Sequence, residues 1–105
     1  MNSQFKRGVV ELCVMKILSS RAMSTYEILE VISNDLDVNE NTIYPILRRL
    51  TNDGFLVIEK KNVGVGAPRK YFNITDLGKK KFVELEESWN MFIASVLKIM
   101  EGKYE

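Results

Sequence analysis

Apolar side chains recur at helical spacing along the first half of the sequence and predict three helices. Residues 5–20 are densely apolar, which indicates a mostly buried first helix. The second helix follows a capping-box pattern, in which Ser24 precedes Glu27 by three residues. A third helix over residues 41–53 has apolar residues at positions i, i+3, i+4 and i+7 and ends before Gly54. The predicted inner faces consist of Ile28, Leu29, Ile32 and Leu36 in the second helix and of Ile43, Ile46, Leu47 and Leu50 in the third.

After Gly54 the pattern changes to two β-prone segments joined by a tip. Residues 55–60 and 69–74 are rich in β-branched and aromatic side chains. The tip, residues 62–68, contains two glycines and a proline, a composition typical of a hairpin loop whose backbone approaches a surface closely. Thr75 then stands at the expected N-cap of a long last helix.

The order helix, helix, helix, hairpin, helix is that of the winged helix-turn-helix. We therefore predict a mainly α fold with a two-stranded β-hairpin. A winged helix-turn-helix DNA-binding domain would occupy residues 1–75, and a C-terminal dimerisation helix, residues 76–105, would pack on the same domain. The alternative that periodicity leaves open is an α+β domain whose hairpin has no binding role.

Composition changes this picture mainly by excluding functions. At 105 residues, the chain has room for one compact domain. It contains no histidine and one cysteine, Cys13, which excludes Ser-His-Asp and Cys-His catalysis, the usual zinc ligands and an intrachain disulfide. No signal-peptide pattern opens the sequence, and its most apolar stretch is too short to span a membrane. We therefore expect a cytoplasmic protein that is not an enzyme, with no cofactor, no metal and no membrane partner.

The net charge of +1 hides an uneven distribution of charged residues. Residues 41–81 contain nine basic and three acidic side chains, whereas residues 21–40 contain one basic and five acidic side chains. A polyanion responds to the local charge of a surface more than to the net charge of the chain. Any nucleic-acid surface is therefore expected within residues 41–81.

The outward side of the predicted third helix carries polar and aromatic side chains. Amide and guanidinium groups hydrogen-bond base edges in the DNA major groove, and hydroxyl groups contact phosphates or thymine methyls. An interior proline removes a helix hydrogen bond, and a merely solvated face offers nothing to offset that loss. The alternative is an ordinary solvated face with two arginines. The predicted DNA-binding residues of this helix are Asn41, Thr42, Tyr44, Pro45, Arg48 and Arg49.

The predicted hairpin carries basic residues on both strands, Lys60 and Lys61 on the first and Arg69 and Lys70 on the second. We expect them to contact the sugar-phosphate backbone or a minor groove, with Gly66 allowing a close approach of the tip. The alternative is that these lysines protect the hairpin edges from aggregation.

The last helix has an apolar seam wider than one small domain covers. Its alternating spacing of three and four residues is typical of helix pairing, and a second stripe that includes Ile93 widens it. A second copy of the chain is therefore the expected cover. Trp89 is interpreted first as a core or interface anchor, and together with Glu86 and Ile93 it is the candidate site for a small apolar or aromatic effector. The predicted dimer interface consists of Phe82, Leu85, Trp89, Phe92, Val96 and Ile99.

Two motifs of the sequence resemble those of a known family. Residues 41–50, followed by residues 53–56, closely resemble the TLYPLLRRLEKEGLI signature of the PadR family of transcriptional regulators. Residues 68–78 are similar to the GRKYYxLTxxG motif of that family, and residues 26–28 to its GYEI motif. The resemblance extends over residues 5–100.

The resemblance implies a winged-helix homodimer that binds operator DNA, usually as a repressor, and dimerises through its C-terminal helix. The single short C-terminal helix is similar to that of the small subgroup, in which some members accommodate aromatic or drug-like compounds at the dimer interface. Carried over by position, the family's recognition helix includes Tyr44, Pro45 and Arg48, its wing includes Arg69 and Lys70, and its dimer helix includes Trp89.

The sequence therefore predicts a DNA-binding transcriptional regulator. We expect a homodimeric repressor of a palindromic operator on double-stranded DNA, with a small aromatic or drug-like compound at the dimer interface as the candidate effector. Two alternatives remain: a winged helix that binds a protein partner without binding DNA, and a dimer that serves mainly to carry a ligand.

Overall fold

The computed structural model of the chain describes residues 3–62 and 64–104. The two strands pair as an antiparallel hairpin, and the four helices surround its base. The predicted series of three helices, a hairpin and a long last helix is confirmed. The elements are α1 (Ser3–Leu18), α2 (Thr25–Ile32), α3 (Glu40–Asn52), β1 (Leu56–Lys61), β2 (Arg69–Ile74) and α4 (Asp76–Met100).

One apolar core joins the helices to the base of the hairpin. All four residues predicted for the inner face of α3 are buried, as are Ile28 and Ile32 of α2. Among the side chains that the structure describes, none of the buried ones is polar or charged. The core consists of Val10, Val14, Met15, Leu18, Met23, Ile28, Ile32, Val38, Ile43, Ile46, Leu47, Leu50, Leu56, Phe72, Ile74 and Phe82.

Helix α2 is shorter than its apolar pattern predicts. Ser33 caps its C-terminus, so Leu36, expected on the inner face of the helix, lies in the turn beyond it. The Leu36 amide donates a hydrogen bond of 2.9 Å to the Ile32 carbonyl, and its half-buried side chain still packs against the core. Serine, asparagine and aspartate follow Ile32, and these residues favour caps and turns over helix interiors.

Side-chain caps fix where the two central helices begin. The predicted capping box is confirmed: the Glu27 amide donates to the Ser24 hydroxyl at 3.2 Å, and the Ser24 amide donates to the Glu27 carboxylate at 3.1 Å. At the start of α3, the Asn41 amide donates to the side-chain oxygen of Asn39 at 2.9 Å. These caps satisfy backbone amides at the helix starts that have no partner within the helix.

The connection between α1 and α2 is attached to the hairpin by a β-bridge. The Met23 amide donates to the Phe72 carbonyl at 3.1 Å, and the Phe72 amide donates to the Met23 carbonyl at 2.8 Å. Because Phe72 lies in β2, this bridge holds the N-terminus of α2 beside the second strand of the hairpin.

The start of α4 is fitted closely against the base of the hairpin. The Thr75 hydroxyl accepts from the Gly78 amide at 3.0 Å, as predicted for an N-cap, and donates to the Gly54 carbonyl at 2.7 Å. A Cβ on Gly78 would collide with the carbonyl oxygen of Phe55. Only glycine therefore fits at this point without displacing backbone.

Helix α4 begins on the core and then extends away from it. Phe82 is buried, whereas Phe92 and Met100 are exposed, and the molecule measures 63 × 28 × 21 Å. Over the described residues, the structure contains no helix with the length and apolar character needed to cross a membrane.

Candidate nucleic-acid interface

The outward face of α3 presents Tyr44 and Arg48 one helical turn apart. Tyr44 is 49% exposed, whereas the isoleucine and leucine side chains of this helix are all buried. Asn41 and Pro45 are also exposed, and Thr42 is half-buried. Because Pro45 has no amide hydrogen, it cannot donate the usual helix hydrogen bond to the Asn41 carbonyl.

A groove of about 310 Å³ separates α3 from the hairpin; we call it the wing groove. Tyr44 and Arg48 line it from α3, and Lys70 lines it from β2. Its floor includes the buried Phe72, and none of its lining residues is acidic. Its lining consists of Thr25, Tyr44, Leu47, Arg48, Thr51, Asn52, Ile58, Lys70 and Phe72.

The strand register places like charges directly opposite each other in the hairpin. Lys60 faces Lys70, and Lys61 faces Arg69. Opposed cations on one sheet face destabilise a hairpin, so an anion between them relieves a repulsion that the fold itself retains. The ammonium group of Lys61 also lies 5.1 Å from the centre of the Tyr71 ring.

The tip of the hairpin relies on glycine conformations. Gly64 and Gly66 have φ angles of 109° and 114°, a region that other residues rarely adopt. A Cβ on Gly66 would meet no atom of the described residues within 4 Å, so the backbone conformation at this position favours glycine independently of crowding. The described residues of this tip, 62 and 64–68, are all exposed.

The N-terminus of α2 adjoins the basic end of β2 and was missed as a candidate site. Ser24, Thr25 and Tyr26 line one surface depression together with Arg69 and Lys70. Tyr26 is 74% exposed, although it follows directly after the helix start. The sequence pattern indicates only a capping role for Ser24. The one signal of a binding surface at this helix start is an aromatic residue, Tyr26, in the first turn of α2.

Arg49 is separated from the other predicted DNA-binding residues. Its guanidinium forms an ion pair with the Glu11 carboxylate of α1, at 2.5 Å. The wing groove therefore brings together Tyr44, Arg48 and Lys70, while Arg49 belongs to the contact between α1 and α3.

A second groove, of about 490 Å³, lies between α1, the end of α2 and α4; we call it the helix groove. Two of the three residues named for the candidate effector site, Trp89 and Glu86 of α4, line this groove together with the half-buried Cys13, whereas Ile93 lies outside its lining. Burial raises the pKa of the Cys13 thiol, so this side chain is a protonated, weakly reactive group at neutral pH.

The predicted seam of α4 is covered unevenly. Phe82 is buried and Leu85 packs against the core, whereas Phe92 and Ile99 are 52% and 54% exposed. Leu97 and Met100, on the adjoining stripe, are also exposed. The second half of α4 thus presents an apolar surface that this chain does not cover with its own described residues.

The fold and the basic groove define a winged helix-turn-helix DNA-binding protein. The model of the transcriptional regulator PadR-like family matches residues 14–84, more than half of the chain. The chain belongs to the PadR family of transcriptional regulators. Members of this family are DNA-binding regulators and not enzymes. Membership therefore favours DNA binding over the alternative of a winged helix that binds only a protein partner.

Solved structures of similar proteins agree with this assignment. A PadR-like transcription factor from Bacteroides fragilis is 36% identical, with a TM-score of 0.80 over 92% of this chain and 95% of that one. A PadR-like transcriptional regulator from Bacillus cereus is 30% identical, with a TM-score of 0.83 over 92% and 96% of the two chains. An uncharacterised protein of Lysinibacillus sphaericus is 29% identical over 95% of both chains.

Proposed function

We propose that the protein is a homodimeric repressor that binds a palindromic operator and is released by a small aromatic or drug-like effector. Residues 1–75 form the DNA-binding domain and residues 76–105 the dimerisation helix. A cytoplasmic location follows from the DNA ligand. The wing groove carries the proposal: it joins the outward face of α3 to a hairpin in which Lys60 and Lys70 are opposed on the groove side and Lys61 and Arg69 are opposed on the other side.

In the proposed complex, α3 lies in the major groove and the hairpin follows the adjacent backbone and minor groove. Tyr44 and Arg48 are exposed on the side of α3 that faces the hairpin, which supports contacts to base edges and phosphates. The remaining proposed contacts of α3 are Asn41, Thr42 and Pro45, and those of the hairpin are Lys60, Lys61, Gly66, Arg69 and Lys70.

Dimerisation is supported by the exposed apolar surface of α4. Large apolar side chains are exposed in its second half, with Phe92 and Ile99 at two of the proposed interface positions. Trp89 packs close to Phe92, with ring centres 6.4 Å apart, and widens the same surface. A two-fold partner that covers this seam would present two copies of α3 to one duplex, which is why we propose a palindromic operator.

The effector site is proposed in the helix groove. Trp89 provides an aromatic surface there, and the charged side chains of the lining are the carboxylates of Glu86 and Asp35 and the ammonium group of Lys16. An effector lowers DNA affinity only if it binds more tightly to a dimer whose recognition helices are wrongly spaced for DNA.

Fluorescence tests the effector step, because Trp89 is the sole tryptophan of the chain. We expect a planar aromatic compound to change the emission of Trp89 in a saturable way. We also expect it to weaken DNA binding at the same concentrations. Release of DNA by the same compound from a Trp89→Ala variant, at unchanged concentration, would contradict this role.

Anisotropy titrations test operator binding. The labelled probes are a duplex from upstream of the gene that encodes the protein and a scrambled duplex of the same length and composition. We expect a preference of about 10³-fold or more for the native duplex, with affinity falling steeply between about 50 and 200 mM salt. Equal affinity for the two duplexes would contradict a specific operator.

A further inference from the structure

The floor of the wing groove contains an exposed apolar side chain that the core does not need. Ile58 of β1 is 40% exposed, and its cross-strand partner is the buried Phe72. Ile58 lies on the same hairpin face as Phe72, because side chains alternate between the two faces of a strand. Charge recognition explains the arginine and lysine that line this groove, but it does not explain why an exposed isoleucine lines it with them.

The rim of the groove is polar and cationic. Arg48 lines it from α3 and Lys70 from β2, with the Tyr44 ring on the α3 side. With no acidic side chain in the lining, the rim suits an anion. The complete groove therefore suits a ligand with anionic groups placed beside apolar surface.

One strand of a DNA backbone has this chemistry, since phosphates alternate with deoxyribose rings whose carbon-bound hydrogens form an apolar surface. If α3 occupies the major groove and the hairpin tip reaches the adjacent minor groove, the strand that separates the two grooves must pass between them. The wing groove lies between these two elements.

We propose that the wing groove binds one sugar-phosphate strand, with a deoxyribose packed on Ile58 and a neighbouring phosphate held between Arg48 and Lys70. This proposal rests on the proposed docking of α3 in the major groove. Because deoxyribose is the same at every nucleotide, the Ile58 contact adds affinity without choosing a sequence. Because it carries no charge, it also leaves the salt dependence unchanged.

The chain contains a matched control for this contact. Val57 is the preceding residue, 46% exposed, and it lies on the opposite hairpin face, where its partner is Asn73. Threonine keeps the β-branched shape that strands favour, so Ile58→Thr and Val57→Thr both place a hydroxyl on the Cβ of a strand residue, and Ile58→Thr also removes one terminal methyl group. Ile58→Val retains most of the apolar surface and adds no polar group. It therefore separates the effect of a shorter side chain from the effect of a hydroxyl.

Circular dichroism melting first confirms that each of the three variants is folded. Anisotropy titrations then measure their affinity for the duplex from upstream of the gene, called here the promoter duplex, and for the scrambled duplex. We expect Ile58→Thr to weaken binding about fivefold on both duplexes at an unchanged salt slope, because it removes the terminal methyl group and replaces a methylene by a hydroxyl, and each of these carbons is proposed to be partly buried against the deoxyribose. Val57→Thr should stay within about twofold of the unmodified protein, whereas Ile58→Val, which removes one carbon and adds no polar group, should weaken binding by about two- to threefold, less than Ile58→Thr.

Two results would overturn the proposal while leaving operator binding intact. One is that the Ile58→Thr variant binds each duplex as tightly as the Val57→Thr variant does. The other is a loss that occurs only on the promoter duplex and disappears when a single thymine is replaced by uracil, which would assign Ile58 to a base methyl. Failure of the unmodified protein to bind either duplex would instead overturn the proposed function, and this proposal with it.

Discussion

Arg49 of α3 forms an ion pair with Glu11 of α1, whereas its neighbour Arg48 lines the wing groove. Consecutive residues of an α-helix point about 100° apart, so two adjacent arginines face different parts of the fold. The sequence presents them as one basic pair. The structure makes each a control for the other.

Arg48→Ala is expected to weaken operator binding by about 1–3 kcal/mol, since it removes a cation proposed to contact the duplex. Arg49→Ala should change DNA affinity by less than about 0.5 kcal/mol and lower the free energy of unfolding by no more than about 1 kcal/mol, because the lost ion pair is partly exposed. Anisotropy and urea unfolding measure the two effects. Equal losses of DNA affinity would show that Arg49 leaves Glu11 to bind DNA.

Phe92→Glu is expected to dissociate the proposed dimer. A carboxylate in a desolvated seam has no partner, so the dimer dissociation constant should rise about 30-fold or more, equivalent to about 2 kcal/mol. Val83→Glu is the matched control, because Val83 is 52% exposed, as Phe92 is, but lies outside the seam. Sedimentation equilibrium measures both constants.

The outcome for DNA binding follows from the same pair of variants. A Phe92→Glu monomer should bind a single half-site weakly and lose the advantage of the palindrome, while Val83→Glu binds like the unmodified protein. A monomeric unmodified protein, or a dimer equally sensitive to both substitutions, would place the interface elsewhere.

Ser24→Ala should destabilise the protein by about 1 kcal/mol, because it removes the N-cap of α2. The Ser24 amide, and then the side-chain hydrogen bond from Arg21, lower the pKa of the Glu27 carboxyl. A carboxyl whose pKa is lower in the folded state stabilises the fold at pH values above its ordinary pKa of about 4.3, and this stabilisation is lost as the pH falls through the lower value.

The stability difference between the unmodified protein and Glu27→Gln should therefore be largest near pH 7 and shrink below about pH 4. Urea unfolding across this range measures the difference, in which the other carboxylates largely cancel. A difference that grows as the pH falls would contradict the capping role.

Gly78→Ala should destabilise the protein by about 1–3 kcal/mol although alanine favours helices, because its Cβ would collide with the Phe55 carbonyl. Gly8→Ala provides the opposite case: Gly8 lies inside α1, and its added Cβ would meet no atom within 4 Å. We expect it to stabilise the protein by about 0.5–1 kcal/mol. Thermal unfolding of both variants checks the contrast, and equal effects would contradict the close fit of α4.

Local signals in the sequence predicted most of the fold. The capping box at Ser24, the apolar spacing of α3 and the N-cap at Thr75 depend on neighbours within one or two helical turns, and all three are confirmed. The wrong assignment of Leu36 to α2 shows the limit of this approach. An apolar residue can pack on the core from a turn just as it can from a helix, so the apolar pattern alone does not locate the end of the helix.

The candidate site was less predictable because it depends on contacts between distant segments. The bridge between Met23 and Phe72, which carries the start of α2 to the hairpin, leaves no periodic pattern in the sequence. The alternation of side chains along a strand places Ile58 on one face of the hairpin. Nothing in the sequence near Ile58 indicates that α3 lies across a groove from this face. The role of Arg49 likewise depends on Glu11, which is far away along the chain.

Hydroxyl-radical footprinting on the upstream duplex, combined with the mass of the complex, tests the proposed function most directly. Two chains should bind one duplex and protect two symmetric half-sites whose centres lie about 34–36 Å apart, one turn of DNA. Protection of a single half-site by one chain, or protection spread evenly along the duplex, would contradict a dimeric repressor that reads a palindrome.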